Sequence, residues 1–235
     1  MKQLIAVIPV YNEHEIIDKV LNDWLNIFKN IGIDFEIHIY NDGSTDNTLD
    51  KLKDLSKIHP EIIVRNKQNT GHGPTLALAY KENVNNAEWL FQADSDNEIS
   101  PDYFEKFWNE RNQANLLVGK RIYTNKSLIR VFITFIAGVL VKALFGCGIN
   151  DANVPFRLFK TDKFKEFVLS LPEKTMVPNI LMSGYACSGK SKIIEIPVNY
   201  TFRQTGTSSI KGLKLLKTAF QSSISVFAYR LKASL

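Results

Sequence analysis

The chain has 235 residues, a formal net charge of +5, 45% hydrophobic residues and 23% charged residues. These values are ordinary for a globular protein and are sufficient for one large domain with a full core. No internal repeat or low-complexity tract is visible, which excludes a repeat architecture. The mild basic excess suits phosphate-bearing partners, and we expect no nucleic-acid partner.

The cysteines and the start of the chain bear on its compartment. Cys147 and Cys187 fit no metal-ligand spacing and predict no disulfide framework, which favours a reducing compartment. The apolar run at residues 4–8 is too short for a signal peptide. We therefore expect a cytoplasmic protein.

Apolar strand-like runs alternate with helical stripes through the first half of the chain. The strands predicted from these runs are residues 4–8, 35–40, 62–64 and 89–91. The first helical stripe runs from Ile16 to Phe28, with Asn12 as its predicted N-cap and Gly32 at its end. Such alternation predicts a doubly wound α/β sheet, whose ligands bind beyond the carboxyl ends of the strands.

A cluster of carboxylates follows the strand that ends at Phe91. Asp94 and Asp96 stand at alternate positions, so both side chains can lean the same way, and Glu98 continues that parity. Like charges this close are unfavourable unless a cation or strong donors share them, and oxygen ligands suit Mg²⁺ or Mn²⁺. A solvated acidic turn is the alternative interpretation of the motif taken alone.

Polar residues also follow the other strands. Asp42 ends the second strand, where a carboxylate can bind a base amide or a ribose hydroxyl, and Ser44 or Thr45 can cap the next helix. An ordinary turn without a ligand is the alternative for this segment. The glycines that flank His72 permit close backbone approach, but they match neither the P-loop nor the dinucleotide-binding motif.

The order and spacing of these polar segments resemble the inverting family 2 glycosyltransferases, which have the GT-A fold. The matching segments are residues 9–13, 42–46, 69–73 and 94–96. Within that family, the chain looks most like the dolichyl-phosphate mannosyltransferase and polyprenyl-phosphate glycosyltransferase branch. The resemblance implies a nucleotide-sugar half in residues 1–120 and an acceptor half in residues 121–210. It also implies a GDP- or UDP-sugar donor and a divalent cation, Mg²⁺ or Mn²⁺.

The resemblance also assigns site residues in the first half. Those assigned to the nucleotide sugar are Pro9, Tyr11, Asn12, Glu13, Asp42, Gly71, His72, Asp94 and Ser95. The metal would be held by Asp94, Asp96 and Glu98. One departure is Asn41, where the family commonly has an Asp, which leaves the base preference open.

Two segments of the second half extend the resemblance. Asp151 precedes a Phe-Arg pair that includes Arg157, but Val and Pro stand where the family has a small residue and Gly. Arg203 and Ser208 match an Arg-x-x-Gly-x-Ser loop that closes over donor and lipid phosphates in the family. A phosphate acceptor needs cations to position it, and the candidates are Arg121, Arg157 and Arg203, with Ser208 in the loop of Arg203; a surface charge is the alternative for each cation. The implied catalytic residues are Asp94, Asp96, Arg203 and Asp151.

Two further segments suggest contact with a membrane. The apolar run at residues 131–141 is too short to span a bilayer, so it predicts either a core helix or a helix in the headgroup region. Residues 211–235 predict a basic amphipathic helix, which packs either on its own domain or on an anionic membrane. With a lipid acceptor, the protein would act peripherally at the cytoplasmic face of the membrane.

The sequence therefore favours inverting transfer of a sugar to a polyprenyl phosphate, because a phosphate acceptor is already anionic and needs no deprotonation. A hydroxyl acceptor in polysaccharide synthesis is the alternative, and it would need a general base, for which Asp151 is the candidate. A phosphatase of the haloacid dehalogenase type fits Asn97 and Glu98 poorly. A degenerate glycosyltransferase acting as a binding module would not need Asp94 and Asp96.

Overall fold

The computed structural model describes residues 1–123, 128–146, 148–189, 191–201 and 227, with the backbone alone at 128–134, 137 and 140. Its strands are Lys2–Val10 (β1), Phe35–Asp42 (β2), Ile62–Lys67 (β3), Ala87–Ala93 (β4), Leu116–Tyr123 (β5), Phe156–Lys160 (β6) and Ile193–Tyr200 (β7). Its α-helices are Ile17–Ile31 (α1), Thr48–Ile58 (α2), His72–Asn83 (α3), Phe104–Glu110 (α4), Leu128–Phe145 (α5), Thr161–Ser170 (α6) and Pro178–Ser188 (α7). The predicted helix at 211–235 lies outside the described residues, apart from residue 227.

These strands form one sheet in the order β3-β2-β1-β4-β6-β5-β7. β1 pairs in parallel with β2 and β4, β2 with β3, and β5 with β7. Only β6, among the described strands, runs antiparallel to its neighbours, β4 and β5. The predicted mostly parallel α/β sheet is confirmed. The sequence does not predict β6, because Arg157 interrupts its apolar run.

The start of α1 differs from the prediction, whereas its end agrees with it. The N-cap of α1 is Ile16, and Gly32 follows the last turn in the left-handed conformation, with φ of 73°. Asn12 also has a positive φ, 56°, and its Oδ1 accepts a hydrogen bond from the Thr45 backbone N–H at 2.8 Å. The predicted N-cap role of Asn12 is therefore wrong, since its side chain joins two loops instead.

An aromatic cluster supports the strand that carries the acidic motif. Phe91 of β4 packs against Trp24 of α1, Phe104 of α4 and Phe156 of β6, with ring centroids 4.8–5.2 Å apart. Phe28 extends the cluster along α1. Each such ring buries roughly 150–250 Å², so the cluster fixes the direction in which β4 leaves the sheet.

Helix α5 is buried on one side and exposed on the other. Val141 and Phe145 lie in the core, whereas Phe135, Ile136 and Val139 are 65%, 40% and 50% exposed. The interpretation as a core helix therefore holds for the buried side, and a place in the headgroup region stays a prediction for the exposed side. Among the described residues, no helix is both long and apolar enough to cross a bilayer.

Helix α7 packs closely on the end of α5. A Cβ at Gly184 would lie 2.5 Å from the Phe145 ring, so only glycine permits this approach.

Cys187 is disulfide-bonded, and the expectation of a chain without disulfides is therefore wrong. The other cysteine of the sequence, Cys147, lies outside the described residues. Sequence spacing does not reveal a disulfide, because pairing depends on the distance between two cysteines in the folded chain.

Candidate active site

The carboxylate of Asp42, at the end of β2, holds the loop that leads into α3. It accepts hydrogen bonds from the backbone N–H groups of Thr70 at 2.9 Å and Gly71 at 2.8 Å, and from the ammonium of Lys67. Burial favours a higher pKa for Asp42, but these donors hold its pKa below the ordinary value. Asp42 is only 4% exposed, and its hydrogen bonds hold this loop in place; contact with a nucleoside stays a prediction.

The loops after β1 and β2 are joined by side-chain hydrogen bonds. The Asn12 backbone N–H donates to Ser44 Oγ at 3.0 Å, and the Asn12 amide donates to Thr45 Oγ1 at 3.2 Å. The Glu13 N–H donates to Thr48 Oγ1 at 2.9 Å. Ser44 and Thr45 are therefore not helix caps as predicted, since Asn47 holds that position in α2. Together these bonds join the two loops into one surface at the carboxyl ends of β1 and β2.

Of the residues predicted to bind the nucleotide sugar, Tyr11, Asn12 and His72 are exposed. Tyr11 is 43% exposed, whereas Pro9 is buried in β1. Asn41 is fully buried, and its amide contacts Asn66 and Ser44 at 2.7 and 2.5 Å. The Asn41 side chain therefore connects loops and does not line an open pocket.

Asp94 and Asp96 lie directly beyond β4, with Ser95 buried between them. Asp94 Oδ1 is 3.1 Å from His72 Nε2, which brings the start of α3 to the acidic motif. Asp96 Oδ1 accepts the backbone N–H of Glu98 at 3.1 Å. Burial raises the pKa of Asp96, and the charges of Asp94 and Glu98 raise it further, to about 7. The motif is therefore rich in negative charge for its partly buried setting.

These residues fit a divalent cation that is shared with a ligand. Among the described residues, no group of three or more His, Cys, Asp or Glu side chains is arranged to hold a metal ion by itself, so Asp94, Asp96 and Glu98 do not form the complete ligand set that the sequence predicts. However, Mg²⁺ usually binds one or two carboxylates and completes its shell with waters and substrate phosphates. The pKa of Asp96 is raised first by burial and then by the charges of Asp94 and Glu98, and a cation between the carboxylates would favour their ionised forms.

A buried ion pair lies in the second half of the chain. Arg121 Nε and Nη2 donate to the two carboxylate oxygens of Asp151 at 2.6 and 2.9 Å, and Asp151 is 2% exposed. Burial lowers the pKa of Arg121, but Asp151 more than offsets this and raises it above its ordinary value. The guanidinium carbon also lies 5.7 and 5.4 Å from the ring centroids of Tyr123 and Tyr200. Both oxygens of Asp151 are therefore engaged.

Arg157 is fully buried and organises the loop that carries Asp151. Its guanidinium donates to the carbonyls of Val154 at 2.9 and 3.1 Å, of Ala152 at 3.1 Å and of Asn179 at 2.9 Å. Burial lowers its pKa to about 10. The structure thus places Arg157 beneath the loop, where its donors hold backbone rather than face solvent. Arg203 and Ser208 lie outside the described residues.

Two residues of the site were missed in the sequence. Lys67 stands opposite Asp42 in the register of β2 and β3, and this pairing of strand ends is the signal that could have revealed it. Tyr200 ends β7, and its hydroxyl donates to the carboxylate of Glu98. Tyr200 lies in the segment before Arg203, but only the sheet brings it to Glu98.

Sequence comparison identifies relatives over most of the chain. Residues 5–166 match the family described as Glycosyl transferase family 2. The chain is 26% identical over 223 residues to a dolichol-phosphate mannosyltransferase of Pyrococcus furiosus, covering 92% of this chain and 60% of the relative. It is 24% identical over 221 residues to an undecaprenyl-phosphate 4-deoxy-4-formamido-L-arabinose transferase of Photorhabdus laumondii, covering 94% and 66% respectively. The chain thus spans less than two thirds of the length of these curated relatives.

Structural comparison identifies a protein of the same fold. The glucosyl-3-phosphoglycerate synthase of Mycobacterium tuberculosis, solved with Mn²⁺, UDP-glucose and glycerol 3-phosphate, superposes with a TM-score of 0.64 at 16% identity. The match covers 97% of this chain and 80% of that one. At this identity the likeness establishes the fold alone, which agrees with the predicted GT-A fold. Because the family match extends over more than half of the chain, this protein belongs to glycosyltransferase family 2.

Proposed function

We propose that the protein is an inverting, metal-dependent glycosyltransferase that moves a sugar from a nucleotide-diphosphate sugar to a polyprenyl phosphate. The observation that carries this proposal is the pair of like-charged carboxylates, Asp94 and Asp96, beside the loops that follow β1, β2 and β3. The acceptor class is supported by the names of the relatives, which use dolichol phosphate or undecaprenyl phosphate.

In this proposal the first half of the chain binds the donor. Tyr11 contacts the nucleoside, and the loop held by Asp42 lies beneath it. Asp94 and Asp96 would hold Mg²⁺ or Mn²⁺ against the diphosphate of a GDP- or UDP-sugar, with Glu98 proposed as a further ligand. When bound, this cation neutralises the charge that develops on the departing nucleotide. The Mn²⁺ and UDP-glucose bound by the mycobacterial synthase support both ligands.

The second half would position the acceptor opposite the donor. A phosphate is already anionic near neutral pH, so it needs cations more than a general base. Arg121 is one cation among the described residues of the second half, and Arg203 and Ser208 are proposed to join it. Arg157 contributes through the loop that it holds. A hydroxyl acceptor would instead need Asp151 as a base, but both oxygens of Asp151 accept hydrogen bonds from Arg121, which favours the phosphate.

A polyprenyl phosphate stays in the bilayer, so the active site must approach a membrane surface. The exposed side chains of Phe135, Ile136 and Val139 on α5 supply apolar surface for this contact. The net charge of +5 favours the anionic cytoplasmic leaflet. We therefore propose peripheral binding at the cytoplasmic face, with the basic segment 211–235 as a second contact.

Calorimetry with UDP and GDP, with and without Mn²⁺, tests the donor site. We expect Mn²⁺ to tighten binding of one of these nucleotides, and Asp96→Asn to remove that metal-dependent part while the circular dichroism spectrum is unchanged. Asp54→Asn on the exposed side of α2 is the matched control and should bind as the parent does. Nucleotide binding that is the same with Mn²⁺ and with a chelator would contradict the metal site.

A transfer assay tests the acceptor. The donor identified by calorimetry is supplied with either a polyprenyl phosphate or a polyprenyl alcohol of the same chain length. We expect product from the phosphate only, because the acceptor site relies on cations. Equal transfer to the alcohol would show that the acceptor is a hydroxyl and would require a general base.

A further inference from the structure

We propose that Tyr200 is a positioning residue that orients Glu98 for the metal and diphosphate site and couples this site to the Arg121–Asp151 pair. The inference rests on the proposed function, since it assigns Glu98 to the cation. It adds a residue that carries no charge and that contacts residues of both halves of the chain.

The end of β7 is hydrogen-bonded to the segment after the acidic motif. The Tyr200 hydroxyl donates to the Glu98 carboxylate. Ile99 and Tyr200 form an isolated antiparallel bridge, and the Thr201 N–H donates to the Glu98 carbonyl at 2.8 Å. Tyr200 is 2% exposed. Backbone and side-chain contacts thus hold Glu98 at this place together.

The second observation is that Glu98 is part of the acidic cluster. Its backbone N–H donates to Asp96 Oδ1 at 3.1 Å, so the two residues form one turn. A carboxylate offers about four lone-pair sites and can accept a phenol while it binds a cation. Hydrogen bonds of this kind set the direction of metal ligands, and their loss typically weakens metal binding by roughly 10–100-fold.

The third observation is on the ring of Tyr200. It packs on the ring of Tyr123 with centroids 5.3 Å apart, and the Arg121 guanidinium carbon is 5.4 Å from its centroid. Arg121 in turn binds both oxygens of Asp151. The hydroxyl of Tyr200 therefore contacts Glu98 of the proposed metal site. Its ring supports the guanidinium of Arg121, the proposed acceptor ligand.

These two roles can be separated by substitution. Tyr200→Phe removes the hydroxyl but keeps the ring, so it should affect Glu98 and leave Arg121 supported. Tyr200→Leu removes both. Tyr185→Phe is the matched control, because this tyrosine lies on α7 and packs its ring on Phe164 and Phe167.

A double-mutant cycle in the metal-free protein tests the contact itself. Thermal midpoints are measured for Tyr200→Phe, Glu98→Ala and the double variant. Both single changes remove the same hydrogen bond. We therefore expect the thermal midpoint of the double variant to fall by less than the sum of the two single decreases. Additive losses would overturn the inference, whether or not the protein binds a metal.

Mn²⁺ binding in the presence of UDP or GDP, followed by electron paramagnetic resonance, tests the consequence. We expect Tyr200→Phe to weaken Mn²⁺ binding by roughly 10–100-fold, and Tyr185→Phe to leave it unchanged. Parent protein without Mn²⁺-dependent nucleotide binding would refute the proposed donor site. Parent protein with such binding and an unchanged Tyr200→Phe variant would refute the role of Tyr200 alone.

Kinetics with a polyprenyl phosphate test the ring. We expect Tyr200→Leu to raise the KM for the acceptor, whereas Tyr200→Phe should leave that KM near the parent value and lower kcat at limiting Mn²⁺. An acceptor KM that is the same in all three proteins would overturn the link to Arg121.

Discussion

Replacing Asp42 by Asn should destabilise the folded protein even when no ligand is present. The carboxylate accepts hydrogen bonds from two backbone N–H groups, those of Thr70 and Gly71, and from the ammonium of Lys67. An amide offers one oxygen and turns an NH₂ group towards the remaining donors. Lys67 would then keep its charge without a carboxylate, in a place where its side chain is only 18% exposed.

The size of the effect follows from the burial of this pair. Removing one partner of a buried ion pair costs about 3–5 kcal/mol. Lys67 retains contacts to the Gln68 carbonyl at 2.8 Å and to the hydroxyls of Thr70 and Thr75 at 2.6 and 3.0 Å, so we expect about 3 kcal/mol. For a chain of this length, that loss lowers Tm by roughly 6–12 °C.

The assay is thermal and urea denaturation of Asp42→Asn and the parent without nucleotide. The control is Asp54→Asn, which removes an exposed i,i+3 pair with Lys57 on α2 and should leave the midpoint unchanged. Because the folded-state pKa of Asp42 is lowered, its stabilisation is present above about pH 4 and is lost as the pH falls further. The difference in stability between Asp42→Asn and the parent should therefore become smaller in acid.

The opposite result would refute this reasoning. If Asp42→Asn keeps the parent midpoint and loses only nucleotide affinity, then the carboxylate serves the nucleoside directly, as the sequence alone suggests. The loop before α3 would then be held by other contacts.

Two further predictions concern the acidic motif and the loop before α7. The folded-state pKa of Asp96 is raised to about 7, so the metal-free protein should lose up to about 1.4 kcal/mol of stability per pH unit as the pH rises from about 4 towards 7. Asp96→Asn should reduce this dependence of stability on pH in thermal melts. If the stability of the parent does not change over this pH range, the pKa of Asp96 is not raised. Gly73→Ala would place a Cβ 2.6 Å from the carbonyl oxygens of Thr175 and Met176, so it should cost about 1–3 kcal/mol in urea denaturation; an unchanged midpoint would show that this loop can move away.

The sequence by itself determined the strands of the first half and the place of the acidic motif. The run at residues 4–8 lies within β1, and Gly32 ends α1 in the left-handed conformation, as predicted. Asp94 and Asp96 follow β4 directly. These features depend on the alternation of side chains and on local backbone preferences, which are encoded within a few residues.

Only the tertiary structure decided which groups the polar side chains contact. Asp42 holds a loop almost thirty residues further along the chain, Arg157 is buried under carbonyls, and the disulfide at Cys187 links parts of the chain that no spacing relates. Tyr200 meets Glu98 from 102 positions away. Such partners are brought together by the order of the strands, and above all by β6, which runs antiparallel between β4 and β5. Strand order is set by the packing of the whole core, because the central strands β1, β2 and β4 bury both faces against elements distant in sequence, and no local pattern records it.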